Sequence, residues 1–109
     1  MATEENAFGE LMGEYIVECL PLAEQIADAF IQLERRWRDG DSGADLLAAT
    51  KSRLHTVKGN SAMMGLGPMQ SVAHALEDVC ALLEAEPTMG SDEAGSLLIR
   101  GSGLLINLV

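Results

Sequence analysis

The sequence predicts an all-α fold, an antiparallel up-down bundle of four helices, on three observations. Apolar residues recur at steps of three and four along all 109 residues and nowhere alternate as a strand would. Turn-forming clusters, DGDSGAD at 39–45, GLGP at 65–68 and EPTMGSDE at 86–93, divide that pattern into four segments. Connections this short favour packing of each helix on the next, around the single modest core that a chain of this length can bury.

The first helix is expected over 6–38. Phe8, Leu11, Met12, Tyr15, Ile16, Cys19, Leu22, Ile26, Phe30, Leu33 and Trp37 form its inward stripe. Pro21 removes the hydrogen bond to the Val17 carbonyl, yet the stripe keeps its phase on both sides, which predicts one helix kinked near Pro21 rather than two. The second helix is expected over 42–64, with Asp41 or Ser42 as N-cap and Leu47, Thr50, Leu54, Val57, Ser61 and Met64 inward. Gly65, free to turn left-handed, should end it. Pro68 suits the first turn of the third helix, 68–86, whose inward residues are Met69, Val72, Ala73, Leu76, Val79, Cys80 and Leu83. The fourth helix is expected over 91–109, capped by Ser91, with Asp92 and Glu93 favourable at its positive end and Ala94, Leu97, Leu98, Gly101, Leu105 and Leu108 inward. With few aromatics the core is aliphatic, and the six methionines read as gap-fillers.

Composition narrows the function. Seventeen acidic against seven basic residues give a formal charge of −10, which argues against nucleic acid or an anionic membrane as partner, since both call for a basic face. Cys19 and Cys80 fall in apolar helical registers, as buried free thiols of a reducing compartment do. No signal-like opening and no apolar run of about 18 residues is present, so the chain is expected in the cytoplasm. The apolar ending GSGLLINLV reads as the cut edge of a longer polypeptide.

The chemistry-bearing residues lie on the second and third helices. His55 falls on the flank of the Leu47–Leu54–Val57–Ser61 stripe and should be exposed. Gly59 and Ala62 continue that flank without side chains able to cover the imidazole, and a mid-helix glycine costs about 1 kcal/mol against alanine. Lys58, one turn on, can set an ammonium beside whatever the ring holds. On the third helix His74 and Glu77 are three apart, and an antiparallel hairpin about 65–68 turns Glu77 toward His55. A carboxylate there could accept the Nδ1–H and leave the Nε2 lone pair outward, making the ring a better nucleophile. A lone surface histidine on a helix is ordinarily inert, and a nearby lysine is ordinarily a solvated charge; the joint pattern is what points to chemistry.

HTVKG at 55–59, then Gly65, then AHALEDV at 73–79 resembles the histidine-containing phosphotransfer (HPt) domain, most closely the one at the N-terminus of CheA-type chemotaxis histidine kinases. The likeness covers nearly the whole chain: EYIVECLPLAEQIADAFIQLER resembles that family's acidic first helix, LHTVKGNSAMMGLGPM its phosphoacceptor segment and VAHALEDVCALL the helix that follows. It implies that His55 is the phosphorylated histidine, that Lys58 assists at the phosphoryl group, that Glu77 hydrogen-bonds the imidazole, that His74 supports, and that Gly59 and Ala62 face the docking partner. It also implies two partners, an ATP-binding kinase domain in cis or trans and a response-regulator receiver domain, with the isolated domain a monomer. ATP and Mg²⁺ would be held by the kinase; this chain has neither a glycine-rich phosphate loop nor an acidic metal cluster, so no bound cofactor, no metal and no catalysis of its own are expected. The departures are Pro21, residues 1–13 ahead of the usual start, and an end at Val109 where the CheA version continues into a fifth helix.

Other readings of the same residues are a metal-binding bundle through His55, His74 and Glu77, a docking or dimerisation module built on the apolar fourth helix, and an HPt fold that has lost phosphotransfer. The first is disfavoured because a di-iron bundle wants Glu-x-x-His pairs on two helices plus two inward acids, and here the order is His-x-x-Glu, once.

Overall fold

A computed structural model of the chain describes residues 4–86 and 92–108. Four helices account for them: α1 (Glu4–Arg38), α2 (Ala44–Met63), α3 (Gly67–Ala85) and α4 (Asp92–Leu108). Each packs on its neighbour in sequence, and α4 closes on α1, so the molecule is the expected antiparallel four-helix bundle. Its extents of 60 × 20 × 20 Å reflect α1. That helix has 35 residues against 20, 19 and 17 for the others, ~52 Å against at most ~30 Å at 1.5 Å per residue.

The first-helix stripe is narrower than expected. Tyr15, Cys19, Ile26, Phe30 and Leu33 are buried as expected, with Met12, Leu22 and Trp37 packed at the edge of the core, but Leu11 and Ile16 are exposed at 53% and 38%. Leu11 lies on the flank of the stripe, beside Met63 and Met64 at the end of α2. Phe8 was expected inward; its side chain lies outside the described residues, as do Ser91 and the side chains of Asp92 and Glu93 at the expected cap of α4. The helix runs unbroken through Pro21, which is exposed.

Neither Asp41 nor Ser42 is the N-cap of α2. Gly43 takes that place at φ 63°, ψ 26°, and the Asp41 carboxylate instead accepts the Gly43 N–H at 2.8 Å, closing a turn two residues long. Only glycine fits: a Cβ there would lie 2.7 Å from Leu33 Cδ2. Trp37 Nε1 donates to the Ser42 carbonyl at 3.0 Å and Arg36 pairs with Asp45 at 2.8 Å, fastening the end of α1 to the start of α2. At the far end, Gly65 is left-handed at φ 70°. The Leu66 N–H bonds the Ser61 carbonyl at 2.9 Å and the Gly65 N–H the Ala62 carbonyl at 3.2 Å, the paired bonds of a Schellman motif.

Five of the six inward residues of α2 are buried, Leu47, Thr50, Leu54, Val57 and Ser61, while Met64 is half-buried. Thr50 and Ser61 return their hydroxyls to the carbonyls of Leu46 and Val57, both at 2.7 Å, so they enter the core without stranded donors. On α3, Met69, Ala73, Leu76, Cys80 and Leu83 are buried, and Val72 and Val79 flank them. The inward stripe of α4 is narrower than expected: Leu98 and Leu105 are buried as expected and Ser102 joins them, whereas Leu97 (60%) and Leu108 (43%) face outward. Two glycines set that phase: a Cβ on Gly95 would lie 2.9 Å from Glu34 Cβ, and one on Gly101 2.6 Å from Leu76 Cδ2. The helix thus lies on α1 and α3 along its glycines.

Candidate functional site

The second and third helices meet in a register fixed by two ion pairs. Lys51 Nζ is 3.0 Å from Glu84 Oε1 and Lys58 Nζ 2.8 Å from Glu77 Oε2. The lysines are seven apart, the glutamates seven apart in the opposite direction, as an antiparallel pair of helices requires. That register carries His55, one turn before Lys58, up to the same carboxylate: His55 Nδ1 is 3.0 Å from Glu77 Oε1.

Glu77 therefore serves both basic side chains, one with each oxygen. Its side chain is only 18% exposed, and Oε2 is shut off from solvent with the Lys58 ammonium against it. Partial burial pushes its pKa up, but Lys58 and then His55 outweigh that and leave the carboxyl below the ordinary glutamate value. An ionised Glu77 can only accept, so Nδ1 is the ring atom bearing hydrogen and donates to it. Nε2 is left with a free lone pair on a side chain that is 71% exposed. The arrangement is a nucleophile with a fixed tautomer, an open approach, and a carboxylate ready to stabilise positive charge on the ring.

Gly59 and Ala62 are exposed on the same flank. A Cβ on Gly59 would meet nothing within 4 Å. The cost of a mid-helix glycine is therefore not explained by packing within this domain, and the space it leaves faces outward. His74 is placed differently from the rest. Its Nε2 pairs with Asp78 at 3.3 Å on the exposed side of α3, and among the described residues no hydrogen bond or ion pair links it to His55, Lys58 or Glu77. No group of three or more His, Cys, Asp and Glu among the described residues is disposed to hold a metal ion.

A family model, the Hpt domain, matches residues 10–101. The chain belongs to the Hpt domain family. Hpt domains are phosphocarriers of two-component signalling, taking and giving phosphoryl groups on histidine in exchange with kinases and response regulators, and they are not catalysts in their own right. Comparison with curated proteins and with solved structures found no match. No helix of this Hpt domain, among the described residues, is long and apolar enough to cross a membrane.

Sequence reasoning overlooked one feature of this arrangement. Lys58 was read as an ammonium waiting beside the ring, whereas it is bound to Glu77; the signal was there, since Lys51 and Lys58 repeat at the spacing of Glu77 and Glu84.

Proposed function

We propose that this Hpt domain is the phosphotransfer domain of a CheA-type histidine kinase, with His55 as phosphoacceptor. The observation that carries the reading is the outward, unencumbered Nε2 of a histidine whose Nδ1 is held 3.0 Å from an ionised Glu77. A kinase domain, in the same polypeptide or another, holds ATP and Mg²⁺, and Nε2 attacks the γ-phosphoryl in line, forming a P–N bond as ADP leaves. Glu77 holds the ring and offsets the imidazolium charge that develops. Lys58 has three ammonium hydrogens and can keep Glu77 with one while offering others to the phosphoryl oxygens. A receiver domain then docks over Gly59 and Ala62, and its aspartate takes the phosphoryl group, breaking the P–N bond. His74 keeps the supporting role of an exposed imidazole on the α3 side of the site. The domain itself binds no nucleotide or metal, and it works in the cytoplasm.

The test is to incubate the purified domain with ATP, Mg²⁺ and a CheA-type catalytic domain from the same genome, in wild type and His55→Gln. The expected product is an acid-labile, alkali-stable phosphoryl group on the wild type alone. Label on both proteins, or on neither with any cognate kinase domain, refutes the assignment. A second reading, a docking or dimerisation module, is favoured by the apolar outer face of α3 and α4, where Leu97 and Leu104 are 60% and 55% exposed beside Val72 and Val79. In that case His55→Gln would be silent in signalling.

A further inference from the structure

The outer face of α3 and α4 lies away from His55 and bears on assembly, whatever the fate of the phosphotransfer reading. Between the two helices runs a shallow trough of about 350 Å³, lined by aliphatic side chains and glycine, with Arg100 the charged residue among them. Ala75 and Val79 form one wall and Leu97 and Leu104 the other. Leu82 and Leu108 prolong the two walls at the same helical spacing of three and four, the pattern by which helices pack on helices. These four leucines are between 43% and 60% exposed, so nothing in the domain covers the trough. A continuous apolar face of this kind marks an interaction surface.

The rims of the trough carry opposite charges. Arg100 stands at the α4 rim, exposed, and among the described residues no ion pair engages it. Asp78 is next to Val79 on the outer side of α3; His74 lies 3.3 Å from its Oδ2, and the side chain is 68% exposed, which leaves room for a second donor. The two residues are level. A Cβ on Gly101 would lie 2.6 Å from Leu76 Cδ2, so in antiparallel helices Arg100 stands beside position 77, ~1.5 Å along the axis from Asp78. A two-fold axis running along the trough sets α3 of each copy against α4 of the other and brings Arg100 opposite the second copy's Asp78, twice. A two-fold across the trough at that level would oppose Arg100 to Arg100. The face is therefore complementary to itself in one arrangement.

Area sets the strength. A face two helices wide, ~20 Å, and as long as α4, ~26 Å, contributes on the order of 500 Å² from each copy. The sum, about 1,000 Å², is at the lower bound for a specific interface and short of the usual ~1,600 Å², so the association should be reversible.

We propose that the α3–α4 trough is a homodimer interface, closed by leucines of two copies and registered by Arg100–Asp78 pairs across a two-fold axis parallel to the helices. The dimer is compatible with phosphotransfer: Val79 and Leu82 lie ~140–160° around α3 from Glu77, so both His55 side chains stay on the outside.

Sedimentation velocity of the purified domain tests this, in a concentration series spanning a Kd on the order of 10–100 μM. The mass should rise from one chain to two. Leu97→Glu with Leu104→Glu should weaken the dimer by about tenfold or more, with the helical circular dichroism and the phosphorylation of His55 unchanged. Asp78→Arg makes the chain less acidic, so relief of general repulsion would tighten the dimer; the proposed pairing instead sets it against Arg100 and should weaken the dimer about fivefold. Adding Arg100→Asp to Asp78→Arg restores both the net charge and the dimer. A domain that stays monomeric through the series, a dimer indifferent to the leucine changes, or one that Asp78→Arg tightens overturns the proposal and leaves the trough to a different polypeptide. None of these outcomes alters the test of His55 as phosphoacceptor.

Discussion

The phosphoacceptor role proposed for His55 rests on a neighbour 22 positions along the chain. Nδ1 of an unattached imidazole is hydrogen-bearing only part of the time; against ionised Glu77 at 3.0 Å it donates, and the lone pair is held on Nε2. Glu77 is in turn kept ionised by Lys58 and His55, which together outweigh the effect of its partial burial. Because its folded-state pKa lies below the unfolded one, the ionised carboxylate contributes stability that is fully present above the ordinary glutamate range and is lost as pH falls through the lower folded value. A chemical-shift titration should place the Glu77 midpoint below 4.5, and Lys58→Met should move it upward by more than His55→Phe does. A wild-type midpoint at or above the ordinary value would contradict the shared-carboxylate geometry. Loss of the carboxylate in Glu77→Gln should slow phosphorylation of His55 about tenfold, the equivalent of ~1.4 kcal/mol in the barrier, with a single-turnover rate as the measurement; an unchanged rate would deny Glu77 its role.

Among the helices, glycines that packing requires differ from one that it does not. Gly95 and Gly101 let α4 lie close against Glu34 and Leu76, whereas Gly59 has open space beyond it. The same substitution should therefore act in opposite directions. Gly59→Ala should stabilise the domain by about 1 kcal/mol through helix propensity, seen in thermal unfolding as a rise of roughly 4–8 °C. Gly95→Ala gains the same propensity but meets Glu34 Cβ and Cγ at 2.9 Å and its Cα at 3.3 Å. Overpacking of ~1–3 kcal/mol should outweigh the gain and lower the melting temperature. A Gly59→Ala protein that melts lower than wild type would show that this glycine is needed by the fold itself.

At the scale of the whole molecule the bundle seals its two thiols. Cys19 and Cys80 are both fully buried and unpaired. Burial, reinforced by the charge of Glu84, pushes the Cys80 thiol up to about 12, so it stays protonated and unreactive at neutral pH. Ellman's reagent should find no thiol in the native protein and two after unfolding in guanidinium; rapid reaction of either under native conditions would mean that the core opens locally. The formal charge of −10 acts at this scale too. It is tolerated because, among the described residues, no acid is buried in the core, and it makes the surface selective for partners with basic faces.

Much of this was legible in the sequence because it depends on local periodicity and local backbone chemistry. Helical spacing of apolar residues gives the four helices and most of the inward stripe of α2 and α3, Gly65 marks the end of α2, and the distances of His55 and Glu77 from the turn at 65–68 place them opposite each other. What depends on contact between helices was decided only by the tertiary structure. Leu11 and Ile16 lie on the two flanks of the α1 stripe and are exposed, although Met12, Tyr15 and Cys19 between and beside them pack into the core. The fourth helix is apolar on two sides, so periodicity alone allowed Leu97 inward along with Leu98 and Leu105; close approach at Gly95 and Gly101 leaves Leu98, Ser102 and Leu105 in the core and Leu97 outside it. Asp41 is an ordinary N-cap by composition, but Gly43, pressed against Leu33, takes the only backbone conformation that fits. A sequence states which faces are apolar; which of two apolar faces is covered, and which carboxylate a lysine finds, is settled by the neighbours that packing brings within a few ångströms.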